Sequence, residues 1–314
     1  MPKKITFFLK KIFLLFFILG ISFALIGSVG VYFYIKTHTE TVKNFIVKEM
    51  ETIIGYDIEI GSIEANWNLT NPSITVHNYQ ILNANLEKSL GAEQIDIDFS
   101  WLSLVRLEPT LDKITLYRPN MSIVKEKDGT LTINGISFDY DEDGGGFSNW
   151  LLNQDDVIIV DASFTWVDLT RGDNKLEFHD VDINYGSSKI YAFVGRREFS
   201  LSSFIAPGTS EKISISGYFD LQEIDREDEI DSEIDIVFSN FNLPALKPWI
   251  DYPIDINSGF GDLNITTTVK NGIFYSLAGR VEIENLNILS ENNKAIKINK
   301  LESFLNVLNE NNIL

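Results

Sequence analysis

Few side chains in this sequence have the types and the spacing that chemistry requires. The best match to a ligand-binding motif is an acidic segment whose oxygens would occupy positions one, three and five of a calcium-binding loop, with glycine at position six. These residues are Asp139, Asp141, Asp143 and Gly144. The twelfth position, where such a loop needs a bidentate glutamate, is Trp150, so an acidic, solvated loop is the better interpretation.

Residues for other kinds of catalysis or metal binding are equally scattered. The three histidines, His38, His77 and His179, lie far apart in the chain and belong to no Ser/His/Asp or His-x-x-His pattern. The absence of cysteine excludes disulfides, thiolate metal sites and a cysteine nucleophile. The glycines at 144–146 precede no lysine-bearing helix, so they are not a phosphate-binding loop. The sequence therefore predicts a protein that is not an enzyme and that needs no metal and no cofactor.

The net charge of the chain argues against a nucleic-acid partner. The 314 residues carry 26 basic and 45 acidic groups, for a formal net charge of -19, yet the mean hydropathy is +0.01. Four of the basic groups are lysines within residues 1–11, which leaves 22 basic against 45 acidic groups, or -23, in the rest of the chain. Nucleic-acid binding needs clustered lysine and arginine, so no nucleic-acid partner is expected.

The near-neutral hydropathy of so acidic a chain comes partly from its apolar start. Residues 12–35 contain no charged side chain and are rich in Phe, Leu and Ile. A helix of this length reaches about 36 Å, enough to cross a hydrocarbon core of about 30 Å. We therefore expect a membrane anchor at 12–35, with the basic residues 1–11 cytoplasmic and the rest exported. The alternative is a cleaved signal peptide with its cleavage site at 28–30, although the apolar run is long for one.

After the predicted anchor the pattern is first helical and then strand-like. Apolar residues at spacings of three and four predict an amphipathic helix over 39–54, within a segment at 36–55. From residue 56 the period is two, and about fifteen alternating runs separated by turn residues follow. Only residues 147–154 and the tail after Leu301 again have helical spacing. The sequence thus predicts a mainly β domain over 56–314, built as an elongated antiparallel sheet.

A weak internal repeat supports an elongated array of strands. Six residues match six others at a constant offset of 43 positions. The first set is Ile114, Leu116, Met121, Ser122, Ile123 and Val124, and the second is Val157, Ile159, Phe164, Thr165, Trp166 and Val167. Repeated units of this size suggest strands stacked along one axis. The alternative is that β-hairpins resemble one another through their patterning alone.

Such a sheet has an apolar face that must be covered, and the predicted helices are too few and too short to cover it. One solution is an anchored β-sandwich, in which two apolar faces meet and which docks other envelope proteins without carrying lipid. The other is a groove whose apolar face is covered by acyl chains. The residues expected to line that groove are Ile114, Leu116, Met121, Ile123, Val157, Ile159, Phe164, Trp166, Ile213, Ile215, Ile234, Ile236, Phe238, Leu263 and Ile265.

Several motifs within the first 220 residues allow a comparison with a known family. They are Ile54–Gly61, Glu64–Trp67, Asn71–Ile74, Leu116–Val124 with the turn Asp128-Gly129, and Trp150–Gln154 followed by Ile158, Asp161-Ala162, Trp166, Asp168 and Arg171. These motifs resemble the N-terminal region of the AsmA-like family of Gram-negative envelope proteins, most closely its YhdP branch. The tryptophan–glutamine helix end with the later tryptophan–aspartate strand carries most of this resemblance.

The resemblance implies a single-pass inner-membrane protein whose periplasmic β-groove carries phospholipid toward the outer membrane. The implied architecture is similar to that of bridge-like lipid transfer proteins, and the family implies no catalytic residue. Chains of the YhdP branch are several times longer than this one, and about fifteen strands would give a groove of roughly 70 Å. We therefore expect either a fragment of a longer chain or a short relative that needs an envelope protein partner at the far end of the groove.

Overall fold

A computed structural model describes the chain from the end of the predicted anchor to residue 309, with gaps. The described residues are 30, 33–34, 36–54, 56–67, 72–82, 88–99, 111–134, 136–137, 155–172, 174–188, 195–205, 209–220, 231–249, 254–289 and 295–309. The predicted tail 1–11, nearly all of the predicted anchor 12–35, the acidic loop at Asp139 and the predicted helix 147–154 lie outside the described residues. Within the described part, none of the helices has both the length and the apolar character needed to cross a bilayer.

The described residues include two helices that pack against the sheet. Helix α1 (Thr39–Ile54) occupies the range that the apolar spacing predicts, and its residues Ile46, Val47 and Met50 pack against the first strands. Helix α2 (Leu243–Leu246) is a single turn, with Pro244 near its start and a buried Leu246.

Within the described residues, fifteen strands form one continuous sheet. Their bounds are β1 (Ile58–Trp67), β2 (Pro72–Leu82), β3 (Lys88–Phe99), β4 (Leu111–Tyr117), β5 (Asn120–Lys125), β6 (Leu131–Ile133), β7 (Ile136–Ser137), β8 (Asp156–Asp168), β9 (Lys175–Ser187), β10 (Arg196–Ile205), β11 (Lys212–Asp220), β12 (Asp231–Asn242), β13 (Asp255–Lys270), β14 (Ile273–Leu289) and β15 (Ala295–Leu308). The mainly β fold predicted from the period-two runs is confirmed.

Most neighbours in the sheet are also neighbours in the chain, and they pair antiparallel. Strands β1 to β4 follow one another at one end, and β8 to β15 follow one another to the other end. Strands β6 and β7 extend from β5 as a short antiparallel ribbon.

The centre of the sheet differs from the expected all-antiparallel pattern. Strands β4 and β5 both run parallel to β8, with 113–117 opposite 156–160 and 120–125 opposite 163–168. Parallel neighbours need a connection of a dozen or more residues, and the long stretch between β5 and β8 provides it. The paired residues are 43 positions apart, so the two copies of the internal repeat lie side by side in register.

The chain from Leu301 to Leu308 is a strand, so the expectation of a helix there is wrong; residues 310–314 lie outside the described residues. Strand β15 pairs with β14 over its whole length, from Ala295 opposite Leu289 to Leu308 opposite Ser276. The apolar spacing in this segment suits a helix, but pairing with the exposed edge of β14 satisfies its backbone hydrogen bonds.

The most closely packed core lies at the α1 end of the sheet. Its centre is Val76 on β2, which is 2% exposed. The buried cluster around it is contributed by β1 to β4: Ile58, Ile60, Ile63, Ile74, Val76, Tyr79, Ile81, Ala92, Ile95 and Ile114. Helix α1 packs against this cluster beside β1, together with partly buried side chains of β3 and β4, so the apolar side chains here are shielded by protein.

Candidate functional site

One face of the sheet carries an apolar row that crosses every strand position. Strands β4 and β5 share one position beside β8, and β6 and β7 extend from β5, so the fifteen strands occupy twelve positions. Residues directly opposite each other in a sheet lie on the same face. The central row consists of Ile63, Val76, Ile95, Leu116, Ile159, Ile183, Leu201, Ile215, Ile236, Ile265, Gly279 and Leu305. At ~4.8 Å per strand this row is about 53 Å long.

A second row lies two residues along each strand on the same face. Its members are Ala65, Ile74, Ile97, Ile114, Val157, Tyr185, Phe199, Gly217, Ile234, Thr267, Leu277 and Val307. The only polar side-chain groups in the two rows are the hydroxyls of Tyr185 and Thr267. We call the face that carries them the apolar face.

The opposite face is polar at the intervening positions. The row between the two apolar ones consists of Glu64, Thr75, Asp96, Thr115, Ile158, Asn184, Ser200, Ser216, Asp235, Thr266, Ala278 and Asn306. Hydroxyls donate to carboxylates across strands, from Thr75 Oγ1 to Asp96 Oδ1 at 2.8 Å and from Thr266 Oγ1 to Asp235 Oδ1 at 2.6 Å. The sheet is thus amphipathic along its entire length.

All fifteen residues predicted from the alternation lie on the apolar face. Leu116, Ile159, Ile215, Ile236 and Ile265 belong to the central row, and Ile114, Val157 and Ile234 belong to the second row. Ile213, Phe238 and Leu263 form a third row on strands β11 to β13. Met121 pairs with Phe164, and Ile123 pairs with Trp166, farther along β5 and β8.

The set of residues predicted from the alternation is incomplete. The predicted set lacks Ile183 and Leu201 of the central row, and Tyr185 and Phe199 of the second row. The segment 198–202 alternates between polar and apolar residues, so this signal was available in the sequence. Strands β1 to β3 also contribute to both rows, beginning with Ile63.

A line of left-handed residues crosses the sheet and marks where its strands bend. These non-glycine residues have φ between 47° and 56°: Asn78, Arg118, Asp161, Asp180, Asn240 and Asn285. Asparagine and aspartate tolerate this conformation better than other residues with a side chain. Two of the backbone N–H groups donate to an aspartate on the next strand, Asp161 to Asp182 Oδ1 at 3.0 Å and Asn240 to Asp262 Oδ1 at 2.9 Å. We call this the bend line.

Bulges in the hydrogen-bond ladder accompany the bend line and keep the apolar side chains on one face. Strand β8 has an extra residue between Ile159 and Ala162, and β12 has one between Phe238 and Phe241. Bulges bend strands and increase their twist. The residues on the apolar face at the bend are among the most buried of the described residues: Ala162 at 0% exposure, Ser203 at 1%, Val181 at 3% and Phe241 at 5%. Because a bend crowds the side chains on its inner side, we infer that the sheet bends toward its apolar face.

Protein covers the apolar face at one end and leaves it open at the other. On the central row, Val76 is 2% exposed whereas Leu305 is 38% exposed. On the second row, Ile74 is 7% exposed whereas Val307 is 51% exposed. Helix α1 and the first strands therefore close one end, and the apolar side chains become accessible toward β15.

A second sheet does not cover this face within the described residues. Extensive contacts there join hydrogen-bonded neighbours in the sheet, helix α1 with β1, or helix α2 with β13. A sandwich would add contacts between the faces of strands that are distant in the chain. The described residues also contain no group of three or more metal-ligating side chains that could hold an ion.

Arginine and aromatic side chains mark one end of β10 on the apolar face. Arg197 lies between Ser187 of β9 and Phe219 of β11. Its guanidinium carbon lies 5.9 Å from the centre of the Tyr185 ring, and Tyr185 and Phe219 have ring centres 6.1 Å apart. Burial raises the pKa of the Tyr185 hydroxyl, an effect that the nearby Arg197 charge partly opposes.

These features define a class of protein: a single long amphipathic β-sheet, bent toward its apolar face and closed by a helix at one end. The family model for the YhdP protein matches residues 1–312. The chain therefore belongs to the YhdP family, as its sequence motifs indicate. No curated protein matches the chain at a significant level.

Proposed function

We propose that this protein carries phospholipid on its apolar face, from the inner membrane toward the outer membrane of a Gram-negative envelope. The observation that supports this most directly is the continuous apolar row over twelve strand positions, which protein covers only at the α1 end among the described residues. An exposed apolar surface of this extent is uncommon in soluble proteins and marks a binding surface. Membership of the YhdP family supports an envelope role.

Acyl chains fit the chemistry of this face. Each methylene removed from water contributes about 0.8 kcal/mol, so a chain lying against the accessible part of the two rows is stabilised wherever it lies there. The rows consist largely of Ile, Leu and Val, with no charged side chain to interrupt them. A chain can therefore move along the face without crossing a polar barrier, and its transport needs no covalent step and no cofactor.

The proposed topology places the α1 end of the apolar face at the membrane. Residues 12–35 anchor the chain, residues 1–11 remain in the cytoplasm, and the sheet lies in the periplasm. Helix α1 follows the anchor directly and packs against the buried cluster of β1 to β4, so the covered end of the apolar face lies nearest the inner membrane. The open end at β15 then points away from it, toward an envelope protein partner.

The sheet is shorter than the fifteen alternating runs imply. Because the strands occupy twelve positions, the face is about 53 Å long rather than roughly 70 Å.

Photo-crosslinking tests the proposal with a matched pair of positions on β12. We expect benzophenylalanine at Ile236, on the apolar face, to capture phospholipid in cells, whereas the same group at Val237 on the opposite face captures none. The substitution Ile215→Asp beside Ile236 should reduce capture, because a charge on the row opposes acyl chains. The control Ser214→Asp lies on the polar face of the same strand, opposite Val237 and Ser202, and should leave capture unchanged.

The same experiment distinguishes the lipid-carrying function from the sandwich hypothesis. If position 236 captures a protein and no lipid, the apolar face is a docking surface for another envelope protein. If it captures neither while the protein remains folded and membrane-associated, the lipid-carrying role is wrong.

A further inference from the structure

The bend line divides the apolar face into two arms. The arm that carries the central and second rows, which we call the row arm, is only partly covered over β9 to β15, where Ile183 and Leu201 are half-buried. The arm beyond the bend line, which we call the helix arm, is covered more completely. On β10, β12 and β14 it contributes Ile205 at 7% exposure, Phe241 at 5% and Leu286 at 4%. Protein therefore fills the helix arm at these strands and leaves the row arm accessible.

Helix α2 provides much of this cover. A Cβ added to Gly259 of β13 would lie 2.9 Å from Leu243 Cδ1 and 3.2 Å from Leu286 Cδ1, so these side chains meet directly above the strand. Leu246, one turn along the helix, is 7% exposed. The side chains of α2 thus occupy the space that an acyl chain on the helix arm would need.

The connection that contains α2 also reaches across neighbouring strands. Adjacent antiparallel strands can be joined by a turn of about two residues, whereas β12 and β13 are joined by residues 243–254. The carbonyl oxygen of Trp249 accepts a hydrogen bond of 3.2 Å from Arg171 Nη1, on the turn after β8. Strand β8 lies about 19 Å from β12 along the sheet. The connection therefore extends along the helix arm from β13 back to β8.

The row arm alone is deep enough for the acyl chains of ordinary phospholipids. On β10 it extends from Arg197 to Ser203 beside the bend line, a distance of about 20 Å along the strand. The acyl chains of one leaflet occupy half of a hydrocarbon core of about 30 Å, or about 15 Å. Chains half as long again need about 23 Å, so their ends would have to continue onto the helix arm.

We propose that helix α2 limits the length of the acyl chains that the apolar face accepts. Leu243 and Leu246 fill the helix arm, so the chains lie on the row arm and end near the bend line. This inference rests on the proposed lipid-carrying function and adds a specificity-determining element to it. The protein then prefers phospholipids whose chains match the row arm over phospholipids that have the same head group and longer chains.

Two phenylalanines on either side of the bend line test where the chains lie. Phe199 of β10 belongs to the second row, on the row arm, whereas Phe178 of β9 lies on the helix arm between Phe164 and Ile205. Both are half-buried, and each is replaced in turn by benzophenylalanine, which keeps the aromatic ring. We expect position 199 to capture phospholipid and position 178 to capture about a tenth as much or less, because α2 keeps chains off the helix arm.

A competition between two lipids tests the selection by length. The full chain in detergent is incubated with equal amounts of two phosphatidylcholines, whose monounsaturated chains have either sixteen or twenty-four carbons, and the crosslinked lipids are quantified by mass spectrometry. We expect position 199 to prefer the shorter lipid about tenfold or more, because the last methylenes of the longer chains find no apolar surface.

Variants of α2 test whether the helix sets this limit. Leu243→Ala combined with Leu246→Ala empties part of the helix arm, so the preference for the shorter lipid should fall about tenfold and position 178 should capture the longer one. Leu246→Ala alone should change the preference in the same direction by less. The matched control, Leu243→Met with Leu246→Met, keeps the side-chain volume and should keep the wild-type preference. Hydrogen exchange of the β10 and β12 amides identifies the variants in which the sheet remains folded.

The outcomes separate this inference from the function on which it rests. If position 178 captures as much lipid as position 199 in the wild-type chain, or if position 199 shows no preference for the shorter lipid, the inference is wrong and the lipid-carrying role stands. The same conclusion follows if folded alanine variants keep the wild-type preference. If neither position captures either lipid in the wild-type chain, the proposed function itself fails.

Discussion

The unequal cover of the apolar face makes a quantitative prediction about two isoleucines on the same row. Ile95 of β3 is 7% exposed and belongs to the buried cluster, whereas Ile265 of β13 is half-buried on the open part of the face. We expect Ile95→Ala to lower the free energy of unfolding far more than Ile265→Ala. The two substitutions remove the same atoms from the same face. A difference between their losses of unfolding free energy therefore reports how completely protein covers each site.

The magnitudes follow from the carbons removed. Ile→Ala deletes three carbon groups at about 0.8 kcal/mol each, or about 2.4 kcal/mol for a buried side chain. The closed surroundings of Ile95 add the energy of an unfilled cavity, which brings the expected loss to about 3–4 kcal/mol. Ile265 gives up only part of its transfer energy and leaves no closed cavity, so about 1 kcal/mol is expected.

The assay must report each end of the sheet separately. In a long sheet whose strands contact mainly their neighbours, the two ends need not unfold as one unit. Hydrogen exchange of the amides in β3 and β13 gives the local unfolding free energy for each variant. Equal losses at Ile95 and Ile265 would show that protein covers the apolar face equally along its length, and this would refute the open groove.

Two further predictions concern the bend and one turn. Gly261→Ala should lower the free energy of unfolding by about 1–3 kcal/mol in urea denaturation, since its Cβ would lie 2.5 Å from the Glu282 carbonyl oxygen and 2.9 Å from Phe241 Cζ. Hydrogen bonds from Thr170 hold the pKa of the Asp168 carboxyl below its ordinary value of 3.8. A lowered folded-state pKa stabilises the protein above the ordinary value, and this stabilisation is lost as the pH falls through the folded pKa. Asp168→Asn should therefore weaken the fall in melting temperature below about pH 4.

The sequence was most informative about which residues lie on the apolar face. In the run Ile213–Ser216 serine alternates with isoleucine, and in Ile234–Ile236 an aspartate separates two isoleucines. Because successive side chains in a strand point to opposite faces, this alternation alone assigns each residue to one face. The pairing then brings the assigned residues together into rows.

The pairing partners could not be predicted from the same pattern. The offset of 43 indicates that two segments are alike, but similar strands can be stacked at a distance or paired directly. Pairing Leu116 with Ile159 requires the intervening chain to return to the same end of the sheet, and alternation contains no information about that connection. The tail after Leu301 shows the same limit, since its conformation depends on the edge that β14 offers.

The positions of the bend line could not be predicted from the sequence either. Asparagine and aspartate favour turns as well as left-handed positions within strands, so Asp161 and Asn240 cannot be distinguished from ordinary turn residues by type. Their role depends on Asp182 and Asp262 in the neighbouring strands, which accept their backbone N–H groups. Such a contact depends on register, which the sequence does not define.

The bend line and the repeat together explain how the apolar face can keep one cross-section over many strands. Arg118 and Asp161 are both left-handed and are themselves 43 positions apart, so the repeated unit includes the bend as well as the apolar residues. A ligand that slides across strands needs the bend at the same depth in each one, because a shift of one residue would turn polar side chains inward. Residues within the strands set that depth, through bulges and aspartate contacts at β8 and again at β12. Continuity of the groove is therefore a local property of its strands, independent of their number.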